Sequence, residues 1–124
     1  MSHLIVKEVK IDETGDECIG VKQGVYKFLK SRLIKCGDRA VSSGDNAKTE
    51  LEDLYVNTAK IGLAAKNSSE IIAERVHIEN VKLCILSVKH KFNYSGSLIK
   101  TNSKSYFCNS NKYEVDKRST WSNM

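Results

Sequence analysis

Three side chains lie close enough in the sequence to suggest covalent chemistry, namely His77, Cys84 and His90. A cysteine nucleophile needs a base within hydrogen-bond reach. In a strand, Cys84 and His90 would share a face but lie roughly 20 Å apart. In a helix, His77 and Cys84 would be about 10 Å apart, two turns away from each other. Local spacing therefore makes no catalytic dyad, so we predict no catalytic residue and favour a non-enzymatic protein over an enzyme.

The four cysteines lie far apart and form no CxxC pair; they are Cys18, Cys36, Cys84 and Cys108. Zinc sites usually take their ligands as close pairs, because one turn must present two corners of a tetrahedron. We therefore predict no metal site and no cofactor. Because disulfides are disfavoured in a reducing compartment, we also predict four reduced thiols.

Positive charge is concentrated in the last third of the chain. Residues 81–124 carry eight basic and two acidic side chains, a net charge of +6, together with six of the nine aromatic residues. Lysines attract phosphates and exposed rings stack on bases, a combination typical of surfaces that hold single strands or nucleotides. A solvated strand face with protective lysines would show the same composition. The candidate ligand-binding residues are Lys89, Lys91, Phe92, Tyr94, Lys100, Lys104 and Tyr106.

These residues predict a small binding protein that holds a nucleic acid or nucleotide on its basic, aromatic C-terminal third. The alternative is a protein-interaction module, an inhibitor or immunity-type protein, which docks an acidic protein partner. A small nuclease without a known motif is the third hypothesis. The chain has no run of about 18 apolar residues and no apolar stretch typical of a signal peptide near its first residue, so we expect a cytoplasmic protein without membrane contact.

The first part of the chain, up to Asn46, predicts strands and a loop. Leu4–Ile11 and Cys18–Val21 have the composition of two short strands, joined by a turn into a hairpin. Val25–Cys36 fits either a helix or a strand, and we favour a strand. Gly37–Asn46 is rich in glycine, serine and aspartate, which indicates a loop.

A long helix is the central prediction for the next segment, from Thr49 to Lys66. Thr49 and Glu52 match a capping box, and apolar residues recur at spacings of three and four. From Val56 onward the helix would be apolar on nearly all sides, which indicates cover from a second chain. We therefore predict a homo-oligomer whose subunit contact includes Ala59, Gly62 or Leu63.

The remaining segments complete an α+β prediction. Ser68 and Ser69 would cap a short helix ending near Arg75, and 76–88 would form one or two strands. The aromatic runs from 92 to 115, separated by glycine and asparagine, predict antiparallel strands and turns. The fold class is an antiparallel sheet packed on one long central helix, in a single domain of residues 1–115 with a polar tail of residues 116–124. We identify no internal repeat.

Overall fold

The computed structural model describes residues 3–91, 93–102 and 105–123, and this part of the chain contains strands but no helix. Accordingly, no helical segment in it is long and apolar enough to cross a lipid bilayer. The nine strands are β1 His3–Val6, β2 Val9–Ile11, β3 Ile19–Phe28, β4 Ser31–Ile34, β5 Arg39–Lys66, β6 Glu70–Val88, β7 Leu98–Asn102, β8 Ser105–Val115 and β9 Thr120–Asn123.

Neighbouring strands pair in parallel, and most pairs join residues about 22 positions apart in sequence. His3 pairs with Val25 and Ser31 pairs with Leu54, while Leu63 pairs with Ile85. The described pairs are all parallel, and one sheet contains all nine strands. A parallel register with a fixed step means that the backbone winds in stacked coils, as in a β-solenoid. The predicted α+β class is therefore wrong, and so is its antiparallel sheet.

The longest strand, β5, is longer than one coil, so it extends through more than one full turn of the solenoid. Its two ends lie side by side, since Lys60 N–H donates to Asp38 O over 2.9 Å and Asn46 N–H donates to Asn67 O over 3.0 Å. We number the coils 1 to 5 in chain order. They comprise residues 3–24, 25–47, 48–69, 70–97 and 98–119, and β9 begins a sixth. Coil 4 is longer than the others, because Glu70 pairs with a residue as distant in sequence as Leu98.

Inward-facing side chains of successive coils stack into columns that form the core. One column contains Ile19, Val41, Leu63 and Ile85, of which the last three are fully buried. Because every coil adds one apolar layer to each column, the core extends along the whole solenoid without a helix to cover it.

Left-handed backbone recurs at the same place in successive coils. Asp45 and Asn67, which differ by 22 in residue number, have φ values of 47° and 55°. The same step separates Asp53 and Arg75, with φ values of 58° and 56°. A residue with positive φ turns the strand sharply. These positions are therefore the corners of the coils.

The corners explain why the predicted helix from Thr49 to Lys66 is instead part of β5. Along a strand, inward residues alternate with a period of two. A corner residue such as Asp53 adds one position, so the buried residues Leu51 and Leu54 are three apart. Alternation interrupted by corners imitates the spacing of a helix. Thr49, the predicted cap, is buried and its hydroxyl lies 3.0 Å from that of Ser43.

Some of the other predicted elements also differ from the observed ones. The predicted loop Gly37–Asn46 lies mostly in β5, and the predicted short helix ending near Arg75 is part of β6. The proposed hairpin of residues 4–21 does not form, because β1 and β3 pair in parallel. The strand predictions for Val25–Cys36 and 76–88 are confirmed. Residues 116–124, predicted as a polar tail, include β9, which pairs with β7.

Further corrections concern the predicted subunit contact and the thiols. Ala59, Gly62 and Leu63 are buried inside the chain, so they form no surface for a second subunit. The cysteines form two disulfides, Cys18–Cys36 and Cys84–Cys108, with Cα–Cα distances of 5.5 and 5.7 Å. The prediction of four reduced thiols is thus wrong. Each disulfide joins neighbouring coils, which sequence spacing alone does not show.

Candidate anion-binding groove

A groove of about 510 Å³ crosses the outer face of coils 1 to 4. Gly20, Ser42 and Gly44 are among the residues that line it. Because glycine has no side chain and that of serine is small, the space above these strands stays open. The other lining residues are Glu17, Val21, Lys22, Arg39, Asp45, Lys66, Asn67, His90 and Lys91. Most of the charged side chains at this groove are therefore cationic. We call it the cationic groove.

Two lysines of the cationic groove stand on either side of Gly44. Lys22 is the register partner of Gly44, and Lys66 occupies the equivalent position one coil further on. Two strand spacings place their backbones about 10 Å apart. Among the described residues, neither ammonium has an ion-pair partner within 4.0 Å. The groove thus presents two ammonium groups without a direct ion pair, and acidic side chains offset their charge only from a greater distance.

Arg39 is the third cation, and acidic side chains already hold it. Its Nη1 lies 2.7 Å from Glu17 Oε1 and 3.7 Å from Asp38 Oδ2. The Nε of the same guanidinium is buried and has no hydrogen-bond partner among the described residues. Glu17 and Asp38 therefore fix the position of Arg39 and offset its positive charge.

The environment of Lys66 disfavours its charged form. Partial burial lowers the pKa of Lys66, and the nearby Arg39 guanidinium lowers it further, while Glu17 and Asp38 act in the opposite direction. A lysine whose ammonium is partly desolvated and lies near another cation gains from an anion that replaces the lost water. This is the arrangement expected at a site that receives negative charge.

The far wall of the cationic groove is a fixed network around Asn67. The Asn67 amide donates to Asp45 Oδ1 over 3.1 Å and accepts backbone N–H groups from His90 and Lys91 at 2.7 and 2.9 Å. Lys91 Nζ lies 2.8 Å from Asp45 Oδ2, and this hydrogen bond lowers the pKa of Asp45 and raises that of Lys91. The network anchors the longer coil 4 at the edge of the groove.

Of the residues predicted to bind a ligand, three lie on the long connection of coil 4. Lys91 lines the cationic groove, and its Nζ lies 5.6 Å from the centre of the Tyr94 ring, which is half-buried. Lys89 donates its backbone N–H to Asp116 Oδ2. The structure thus brings Lys91 and Tyr94 together beside the groove.

The other described residues among the predicted set, Lys100 and Tyr106, do not join this group. Lys100 is exposed on β7, whereas Tyr106 on β8 packs edge-on against Trp121 with centroids 6.3 Å apart. Phe92 and Lys104 lie outside the described residues. These residues lie in one third of the sequence, which suggested a single surface. In the structure, the described ones are distributed around the coils of the solenoid.

Sequence analysis missed Lys22, Arg39 and Lys66, because all three lie outside the basic third. A usable signal does exist. Lys22, Gly44 and Lys66 follow one another at the step of the solenoid, the same step that separates the corner residues Asp45 and Asn67. Recognising that repeat would have placed the two lysines on one face.

A second polar cluster lies on another face. The Tyr55 hydroxyl and the Asn57 amide donate to Glu79 Oε1 at 2.5 and 3.1 Å, and His77 Nε2 lies 3.6 Å from Glu79 Oε2. The Tyr55 hydrogen bond lowers the pKa of Glu79, which keeps this carboxylate ionised at neutral pH. Cys84 is in a disulfide and supplies no thiol nucleophile. These side chains form a row of hydrogen bonds between neighbouring coils. Within this cluster, no nucleophile lies next to a general base.

No family model, curated protein or solved structure matches the chain.

Proposed function

We propose that this protein is a non-enzymatic binding protein that holds the phosphate groups of a nucleotide-class ligand in the cationic groove. The observation that carries the proposal is the pair formed by Lys22 and Lys66, which flank Gly44 and have no acidic group within 4.0 Å among the described residues. Phosphate oxygens accept hydrogen bonds from ammonium groups, and such charge-assisted bonds are the strongest in proteins.

The surrounding residues support a ligand of this size and charge. The small lining residues Gly20, Ser42 and Gly44 leave room for tetrahedral groups. Tyr94 stands beyond Lys91, in reach of the groove edge, and a ring at that place can stack on a base. The proposal keeps the ligand class expected from sequence. It moves the main phosphate contacts to Lys22 and Lys66, whereas the sequence analysis assigned them to Lys89, Lys91, Lys100 and Lys104.

Isothermal titration of the full chain with pyrophosphate, a nucleoside triphosphate and a single-stranded oligonucleotide tests this proposal. At low salt we expect all three to bind, the nucleotide more tightly than pyrophosphate. The double variant Lys22→Gln/Lys66→Gln should bind the nucleotide at least about 100-fold more weakly, since each of the two charged hydrogen bonds is worth about 1.5–3 kcal/mol. For the oligonucleotide, the dependence of log K on log salt should fall by about one unit per lost contact.

The matched control is Lys100→Gln/Lys112→Gln, which removes the same charge from exposed lysines that do not line the groove. Circular dichroism must show that both variants keep their strands. Equal losses in the two variants would indicate a general charge effect and contradict a defined site. Binding of an acidic polypeptide with no response to any phosphate probe would also contradict the proposal and favour a protein partner.

A further inference from the structure

A second pocket, of about 390 Å³, lies next to the cationic groove. It is lined by Lys89, His90, Asp116, Lys117 and Arg118, and His90 also lines the groove. Coil 4 provides the first two of these residues and coil 5 provides the other three. The two cavities are therefore neighbours on one outer face of the solenoid.

Successive coils place the groove and the second pocket along one line. The positions that correspond to Lys22 in the later coils are Gly44, Lys66, Val88 and Asp116. The backbone N–H of Asp116 donates to Ser87 O over 3.2 Å, which fixes the last step. Four strand spacings of about 4.8 Å separate the backbones of Lys22 and Asp116 by roughly 19 Å. This distance exceeds the length of the triphosphate of one nucleotide.

Lys89, His90 and Lys91 connect the two cavities, and their backbone is held from both sides. Asp116 Oδ2 accepts the backbone N–H of Lys89 over 2.6 Å. Asn67 Oδ1 accepts those of His90 and Lys91 over 2.7 and 2.9 Å. These hydrogen bonds fix the segment with Lys91 at the groove and Lys89 at the second pocket.

The turn that carries Lys117 and Arg118 is held against the long connection of coil 4. The backbone N–H of Arg118 donates to Asp116 Oδ1 over 3.3 Å, and that of Ser119 donates to Asp116 O over 3.2 Å. A Cβ atom added to Gly96 would overlap the carbonyl oxygen of Arg118, so the two backbones lie in direct contact. The second pocket is therefore formed by two segments whose backbones are fixed.

The second pocket carries more positive than negative charge. Its side chains Lys89, Lys117 and Arg118 form no ion pair within 4.0 Å among the described residues. Asp116 supplies the one carboxylate among the lining residues. Burial acts to raise the pKa of Asp116, but hydrogen bonds from Ser119 and from backbone N–H groups lower it below its usual value. Three cations thus surround one carboxylate that already binds the backbone.

Building on the function proposed above, we propose that the ligand of the cationic groove is a single-stranded nucleic acid whose chain continues past His90 into the second pocket. A single nucleotide would leave the second pocket empty. A single strand carries one phosphate per nucleotide along its whole length, so it presents negative charge to both cavities at once. Tyr94 beside the groove favours an unpaired strand, because a ring at that place stacks only on a base whose face is free.

Isothermal titration of the full chain with a nucleoside triphosphate and with oligothymidylates of increasing length tests this inference. Affinity should rise with oligothymidylate length until both cavities are filled and then change little. Lys117→Gln/Arg118→Gln should bind the longest oligothymidylate about 10-fold more weakly, with a salt slope lower by about one unit per lost phosphate contact. The same variant should bind the triphosphate as tightly as the wild type, because neither residue lines the groove.

Two further variants keep the test decisive. Lys89→Gln removes the third cation of the second pocket and keeps the backbone N–H that Asp116 accepts, so it should weaken binding of the longest oligothymidylate but not of the triphosphate. The control Lys100→Gln/Lys112→Gln removes two charges from exposed lysines that line neither cavity and should bind like the wild type.

Oligothymidylates that bind no more tightly than the triphosphate at any length would overturn the inference and leave the proposed function intact. Unchanged binding by a folded Lys117→Gln/Arg118→Gln variant would do the same. A chain that binds neither the triphosphate nor any oligothymidylate would contradict both proposals. Polyglutamate that binds as tightly as the longest oligothymidylate would also overturn the inference, because it would show a surface for acidic polypeptides.

Discussion

At the scale of single residues, close contact between coils restricts which side chains the solenoid accepts. A Cβ atom added to Gly62 would lie 2.7 Å from the carbonyl oxygen of Cys84 and 3.1 Å from Ile78 Cδ1. The carbonyl belongs to the next coil and to a residue held by a disulfide, so it has little freedom to move. The two backbones are therefore too close for a side chain at position 62, and only glycine fits there without strain.

We predict that Gly62→Ala lowers the free energy of unfolding by about 1–3 kcal/mol, the usual range for overpacking a close-packed interior. Chemical denaturation followed by circular dichroism measures this quantity. Gly44→Ala is the matched control, because a Cβ at Gly44 meets no atom closer than 3.8 Å. Equal stability of the Gly62→Ala variant and the wild type would show that coils 3 and 4 are not packed as described.

At the scale of elements, the disulfides connect coils that are adjacent in space. Cys18–Cys36 and Cys84–Cys108 span 18 and 24 residues and tie coil 1 to coil 2 and coil 4 to coil 5. Coils at the end of a stack have a neighbour on one side only, and cross-links limit their separation. Disulfides of this kind are typical of proteins that fold in oxidising compartments.

We predict that Cys18→Ser/Cys36→Ser lowers the free energy of unfolding by about 2–4 kcal/mol, as closing a loop of this length restricts the unfolded chain. The measurement is again chemical denaturation, with dithiothreitol-treated wild type as a second arm that should lose at least as much stability. A thiol-reactive reagent should label no cysteine in the unfolded, unreduced wild type. Labelling of four thiols per chain would show that the disulfides do not form.

Sequence analysis located most strand segments and missed the way in which they pair. Val25–Cys36 and 76–88 were predictable because their β-branched residues favour strands wherever they lie. The segment 49–66 was not, since corner residues such as Asp53 and Thr58 convert alternation into a three-residue spacing. Local periodicity cannot distinguish the two cases, whereas a repeat at the length of one coil can.

The candidate site was predictable only in part. The proposed ligand class was inferred from lysines and aromatic residues and stays a prediction, while two of those residues, Lys91 and Tyr94, lie beside the cationic groove. Lys22 and Lys66 belong together only through the register of β3 and β5, which depends on long-range pairing. This register is set by how the coils stack, so a short stretch of sequence does not show which residues will be neighbours.

At the scale of the whole molecule, the solenoid assembles a surface from residues that are distant in sequence. The cationic groove crosses four coils on one side, and its lining residues range from Glu17 to Lys91. Its charge therefore depends on how the coils stack and not on the composition of any one segment.

The position of bound phosphate is the central claim, and lysine footprinting tests it most directly. Wild-type protein is acetylated briefly with and without a saturating nucleoside triphosphate, and the modified fraction of each lysine is measured by mass spectrometry. We predict that the nucleotide strongly protects Lys22 and Lys66 from acetylation, because their ammonium groups would be hydrogen-bonded to phosphate oxygens. The acetylation of Lys100 and Lys112 should stay unchanged. Protection of Lys100 and Lys112 with no change at Lys22 and Lys66 would contradict the account.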